Sequence, residues 1–153
     1  MNTPKAFVGG PQVYITGSSN AAQGRHQSSM SAIPGPTKML VVDSNIFPGE
    51  ITEIPLDGHT LVTGTNAAGK TSLIQLIPLF LGVSPNTISN KRQGKSFYSH
   101  YLPNSSSYVA FEYRHRDGHP RSVIIHASMT DDQPRFRFVR SALYEDMFVN
   151  DNG

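Results

Sequence analysis

The sequence predicts an α/β fold in which a strand runs into a glycine-rich loop and a helix, beside a set of antiparallel strands. Three observations carry this. Leu61-Val62-Thr63 is a short apolar, β-branched run that ends on Gly64-Thr65-Asn66-Ala67-Ala68-Gly69-Lys70-Thr71. Leu73, Ile74, Leu76 and Ile77 then recur at helical spacing. Val109, Phe111 and Tyr113 alternate along one face before Asp117-Gly118, as in a strand that enters a hairpin turn.

The chain's 153 residues suit one domain with a core of its own. It has no cysteine, which rules out disulfides and thiolate metal sites. No apolar run approaches the roughly 20 residues needed to span a bilayer, and the N-terminus lacks the apolar centre of an export signal. A cytoplasmic protein without a membrane partner is expected. Net charge is +2, too small to imply a nucleic-acid partner by itself. Its distribution says more. Residues 58–111 contain no Asp or Glu but include Lys70, Lys91, Arg92 and Lys95, so a polyanion meets little repulsion there.

Residues 1–37 are rich in Gly, Pro, Ser, Ala and Gln, with apolar residues in no period. They read as a disordered arm ahead of a domain spanning 38–153. Within the arm, residues 17–24 imitate the later loop but lack the Lys-Thr that should follow its last glycine. Met39 to Val42 reads as a strand, Phe47 to Glu50 as a turn, and Ile51 to Leu56 as a second strand that Pro55 places at an edge or a bulge. Asp57-Gly58 predicts a two-residue hairpin returning through His59 to Thr63. A buried helix is expected from Gly69 or Lys70, kinked or ended by Pro78 and capped by Gly82. Residues 83–103 read as a long polar surface loop. Strands follow at Tyr108 to His115, Arg121 to Ala127 and Arg135 to Phe138.

The pattern G-x-x-x-x-G-K-[ST] at Gly64 to Thr71 is a phosphate-binding P-loop (Walker A) sequence. Glycines let the backbone turn tightly and aim its N–H groups at phosphate oxygens. The following helix adds its unpaired N–H groups and partial positive charge. Lys70 would reach the β- and γ-phosphates, and the Thr71 hydroxyl would sit on Mg²⁺. The expected phosphate-binding residues are Gly64, Thr65, Asn66, Ala67, Ala68, Gly69, Lys70, Thr71 and Ser72, with ATP and Mg²⁺ as cofactors.

With Asn66 at its third position, this string resembles the G-x-N-G-x-G-K-[ST] loop of the SMC, RecF and RecN group of ABC-type ATPases. Phe47, Ile54, Leu56, Leu61 and Val62 look like the hairpin that leads into that loop, and Leu79-Phe80-Leu81-Gly82 like the end of the helix after it. The resemblance covers residues 38–83 well and 107–140 loosely. Ala67 departs from the usual glycine, and Pro78 is unusual in the first helix. The resemblance implies the N-terminal lobe of an SMC-like head. In such heads a second sequence half, beyond a coiled coil, supplies the signature motif and the catalytic carboxylate. ATP is sandwiched between two heads, and the assembly acts on DNA in chromosome maintenance, repair or defence. The implied partners are therefore ATP, DNA, and a complementary C-terminal ATPase half or dimer partner.

The missing parts agree with a partial head. No apolar run ends in Asp-Glu, and no Ser-Gly-Gly signature or heptad pattern occurs. Hydrolysis needs a carboxylate that holds Mg²⁺ and polarises water, so the catalytic residues stay unassigned. Glu112 reads as an exposed strand carboxylate on the face of Arg114. Asp131-Asp132 reads as a turn, and Gln133, beside Pro134, as either a turn or a glutamine near Mg²⁺. In Lys91-Arg92-Gln93-Gly94-Lys95, Arg92 is the candidate for a phosphate or DNA contact; a solvated loop is the plainer reading. Phe97, Tyr98 and Tyr101 beside it either serve that contact or pack the loop onto the sheet. Arg114, Arg116, Arg121, Arg135, Arg137 and Arg140 make the strands basic, which suits DNA if they cluster. The histidines show no metal-ligand spacing. Two other readings remain: a self-contained P-loop kinase or GTPase, although Asn90-Lys91-Arg92-Gln93 lacks the Asp that would pair with guanine, and a non-catalytic nucleotide- or DNA-binding remnant.

Overall fold

The computed structural model describes residues 13–18, 34–66, 68–88, 96–127 and 134–149. The fold is mixed and mostly antiparallel. A five-stranded sheet of order β3-β2-β5-β6-β7 is built from β2 (Gly35–Val42), β3 (Ile51–Pro55), β5 (Tyr108–Arg114), β6 (Pro120–Ala127) and β7 (Pro134–Val139). A two-stranded sheet pairs β1 (Val13–Ser18) with β4 (His59–Gly64). Between β4 and β5 lie the short helices α1 (Lys70–Ile74), α2 (Ile77–Phe80), α3 (Pro85–Ile88) and α4 (Phe97–Tyr101), and a 3-10 helix spans Glu145–Phe148.

The five-stranded sheet is covered on both faces, which explains why Met39-Leu40-Val41-Val42 is apolar without alternation. One face carries Met39, Val41, Val109, Phe111, Val123 and Ile125, packed with Leu73, Leu76 and Leu79 and with the aromatics of α4. Phe80 sits 5.6 Å, centroid to centroid, from both Phe111 and Tyr113. The opposite face carries Leu40 and Ala110 beneath Leu143 and Phe148. Glu112 belongs to that second face and is not the exposed carboxylate expected from alternation. Its side chain is 15% exposed and accepts from Thr37 Oγ1 at 2.6 Å and from the Leu143 N–H at 2.8 Å. It fastens the segment after β7 over the sheet, as does Ser122 Oγ, which donates to the Ser141 carbonyl at 2.8 Å.

Two pieces of the segment expected as a disordered arm are strands. Val13–Ser18 is β1, and β2 begins at Gly35. The lookalike at 17–24 falls outside the described residues beyond Ser18. The Asp57-Gly58 hairpin is also corrected. β3 pairs with β2, whereas β4 leaves the sheet and pairs with β1, from Val13↔Gly64 to Ser18↔His59. Pro55 gives the reason: it stands where the ladder to β4 would start, and it has no N–H to donate. Its carbonyl instead accepts from Thr60 Oγ1 at 2.6 Å. As Pro55 implied, β3 is an edge strand.

The helix after the loop is broken. α1 stops at Ile74 because Pro78 offers no N–H to the Ile74 carbonyl and its ring crowds it; Pro78 instead sits in the first turn of α2. Gly82, at φ +83°, closes α2. Its N–H donates to Leu79 and that of Val83 to Pro78, both at 3.1 Å, which is a Schellman cap. Burial is one-sided, since Ile74 and Leu81 are exposed. The expected long loop at 83–103 contains α3 and α4. Phe97, Tyr98, Tyr101 and Leu102 are buried, so these aromatics pack the segment onto the sheet. Among the described residues no helix is long and apolar enough to cross a membrane.

Candidate phosphate-binding loop

β4 delivers the chain to the loop at Gly64, and α1 takes it away at Lys70. Val62 points into the core while Leu61 and Thr63 face outward. Thr65 and Asn66 are exposed in a turn, and the Ala68 N–H donates back to the Thr65 carbonyl at 3.3 Å. Ala68 is buried. Ala67 lies outside the described residues.

Gly69 is the hinge of the loop. It caps α1 in the left-handed conformation, φ +87° and ψ 7°, and its carbonyl accepts from the Leu73 N–H at 2.9 Å. A Cβ here would meet Ile46 Cγ2 at 3.0 Å. Conformation and space therefore both require glycine. Ile46 comes from the β2–β3 turn, a rigid piece. The Asp43 N–H donates to the Glu50 carbonyl at 2.8 Å, Ser44 Oγ accepts from the N–H groups of Ile46 and Phe47, and Asp43 Oδ1 accepts from the Gly49 N–H at 2.9 Å.

Lys70 folds back over the loop. Its Nζ donates to the Gly64 carbonyl at 2.8 Å and to the Thr65 carbonyl at 2.6 Å. The ammonium thus stands at the start of the loop, on one part-buried and one exposed carbonyl. Thr71 is exposed and Ser72 half-buried. The first turn of α1 has no acidic residue, and no side chain caps its N–H groups. Gly64, Thr65, Asn66, Ala68, Gly69, Lys70, Thr71 and Ser72 thus lie on one turn of chain; Arg92, Asp131, Asp132 and Gln133 lie outside the described residues.

Two neighbours of the loop escaped the sequence reading. Ile46 carries no signal a single sequence can show. α4 does carry one: Ser96 caps it by accepting from the Ser99 N–H at 3.2 Å, and Phe97 and Tyr101 are spaced four apart. Among the described residues no group of three or more His, Cys, Asp or Glu could hold a metal ion.

Residues 40–153 match the model of a family described as protein of unknown function, DUF3584. The chain belongs to this family. The match takes in the last three residues of β2, the loop, α1 to α4 and the strands after them. No curated protein and no solved structure matches the chain. The functional reading therefore stands on the residues themselves.

Proposed function

We propose that this chain binds ATP with Mg²⁺ through a P-loop at Gly64 to Thr71, as the N-terminal lobe of an SMC-like ATPase that acts on DNA. The observation that carries the reading is Lys70. Its ammonium lies across the carbonyls of Gly64 and Thr65, at the end of a strand and the start of a helix. That placement keeps the ammonium beside the loop, within which a P-loop lysine would reach the β- and γ-phosphates. The residues fit the group. The α1 amides are not blocked by a side-chain cap, no acid stands in the first turn, and the Thr71 side chain is open to solvent. ATP would supply the phosphoryl group, and Mg²⁺ the charge that neutralises it. This chain would bind and orient the phosphates.

Hydrolysis is assigned to a complementary half or dimer partner. Glu112 is engaged by Thr37 and Leu143 on the sheet face opposite α1, so it does not supply the missing carboxylate. DNA contact is supported by Arg116, Arg135, Arg137 and Arg140, all exposed on or beside β6 and β7. Arg121 is already paired, with Asp117 at 2.6 Å.

Equilibrium titration with MgATP tests the reading. The parent chain is expected to bind without turnover, and Lys70→Ala to lose binding while keeping its fold. A Lys70→Ala chain that binds as well as the parent sinks the P-loop assignment; rapid turnover by the parent alone sinks the partial-head assignment.

A further inference from the structure

Tyr101 is 1% exposed, and its ring packs on Phe97 at a centroid distance of 4.9 Å. Its hydroxyl reaches across to the helix that follows the loop. It donates to Gln75 Oε1 at 3.1 Å. Gln75 is the C-cap of α1, so a side chain of α4 grips the far end of the helix that leaves the loop. Burial pushes the Tyr101 hydroxyl above its ordinary pKa.

α4 is held a second time, near the same C-terminal end. Asn45 Nδ2 donates to the carbonyls of Ser99 and His100, at 3.1 and 2.8 Å, which satisfies acceptors that a helix end leaves open. Asn45 adjoins Ile46, the residue that stops against Gly69. The contacts close a ring from the β2–β3 turn to α4, from α4 to α1, and from Gly69 back to the turn. α1 has five residues, too few to hold its own direction in water. Its orientation must come from outside: Leu73 packs into the core, and the Tyr101 hydroxyl adds a polar attachment at Gln75.

We propose that Tyr101 is a positioning residue for the phosphate loop: through Gln75 it holds α1 in the orientation that aims Lys70 and Thr71 at a bound triphosphate. This rests on the nucleotide reading above. Tyr101→Phe keeps the ring and removes only the hydroxyl, and Gln75→Ala removes the exposed acceptor.

Calorimetric titration of the full chain with MgATP tests the proposal, using the parent, both single variants and the double variant. Each single variant is expected to weaken binding about three- to tenfold. The double variant should be no more than about twofold weaker than Tyr101→Phe, because both changes delete one contact. Amide exchange in β5 and β6 should match the parent in every variant, which separates positioning from loss of fold. Should Tyr101→Phe lose that protection, Gln75→Ala, on the surface, decides alone. Parent-like affinity in the deciding variants, or single losses that multiply in the double, overturns the role of Tyr101. A parent that binds no MgATP overturns the nucleotide reading itself, and the positioning role with it.

Discussion

At the scale of single residues, two backbone positions set the geometry of the candidate site. Gly69 and Gly82 have nearly the same left-handed φ, but only Gly69 has a neighbour in the way. Gly69→Ala and Gly82→Ala should each cost about 1–2 kcal/mol through φ alone. Gly69→Ala should cost more, because Ile46 must also yield. Denaturant midpoints of the two variants check this; equal losses would remove Ile46 from the account. Asp43 is the second position. It holds φ +43°, which Asp and Asn tolerate better than most residues. The Ser106 hydroxyl, then the Gly49 N–H and the Asn104 amide, hold its carboxyl below the usual carboxylate range. That stabilisation is complete above about pH 4, near the unfolded carboxyl value, and is lost as pH falls through the lower folded value. Asp43→Asn should therefore be less stable than the parent at pH 7, with the gap narrowing below about pH 4. A gap constant from pH 7 to pH 2 in urea titrations would refute the assignment. The strand before the loop and the helix start after it were legible in the sequence, at Leu61 to Gly64 and at Lys70. Asp43 and Ile46 were not, because what they touch is remote in sequence.

At the scale of elements, the strands were legible wherever side chains alternate or a turn pair intervenes, as from Tyr108 to Ala127 around Asp117-Gly118. The departures trace to tertiary contacts. Asp57-Gly58 has the composition of a tight hairpin, yet Pro55 denies the ladder its donor and β1 takes β4 instead. Glu112 looked solvated because period-two alternation does not reveal what covers the second face. Its carboxylate holds Leu143 and Thr37, and Lys38 Nζ stands 4.0 Å away. Glu112→Ala leaves the Leu143 N–H and the Thr37 hydroxyl without this acceptor. A loss of about 1.5–3 kcal/mol is expected, since hydrogen bonds to charged groups fall in that range. Urea unfolding of the variant reads it directly; a loss under about 0.5 kcal/mol would mean that the segment over Ala110 is held by Leu143 packing and the Ser122–Ser141 bond without Glu112.

At the scale of the whole molecule, the candidate site stands where two sheets meet. β4, which carries the loop, belongs to the two-stranded sheet, but Val62 and Ile15 pack into the core of the five-stranded one. The turn that carries Ile46 belongs to the larger sheet, so Gly69 is pinned between the two. Among the described residues β4 pairs with β1 alone, and β7 with β6 alone. Amide exchange of the full chain with and without MgATP, followed by mass spectrometry, tests the central claim most directly. The P-loop account predicts slower exchange from Gly64 through Ile74, with smaller protection in the β2–β3 turn and α4, and little change in β6 and β7. Unchanged exchange across Gly64 to Ile74 at saturating MgATP, or protection confined to another part of the chain, would contradict it.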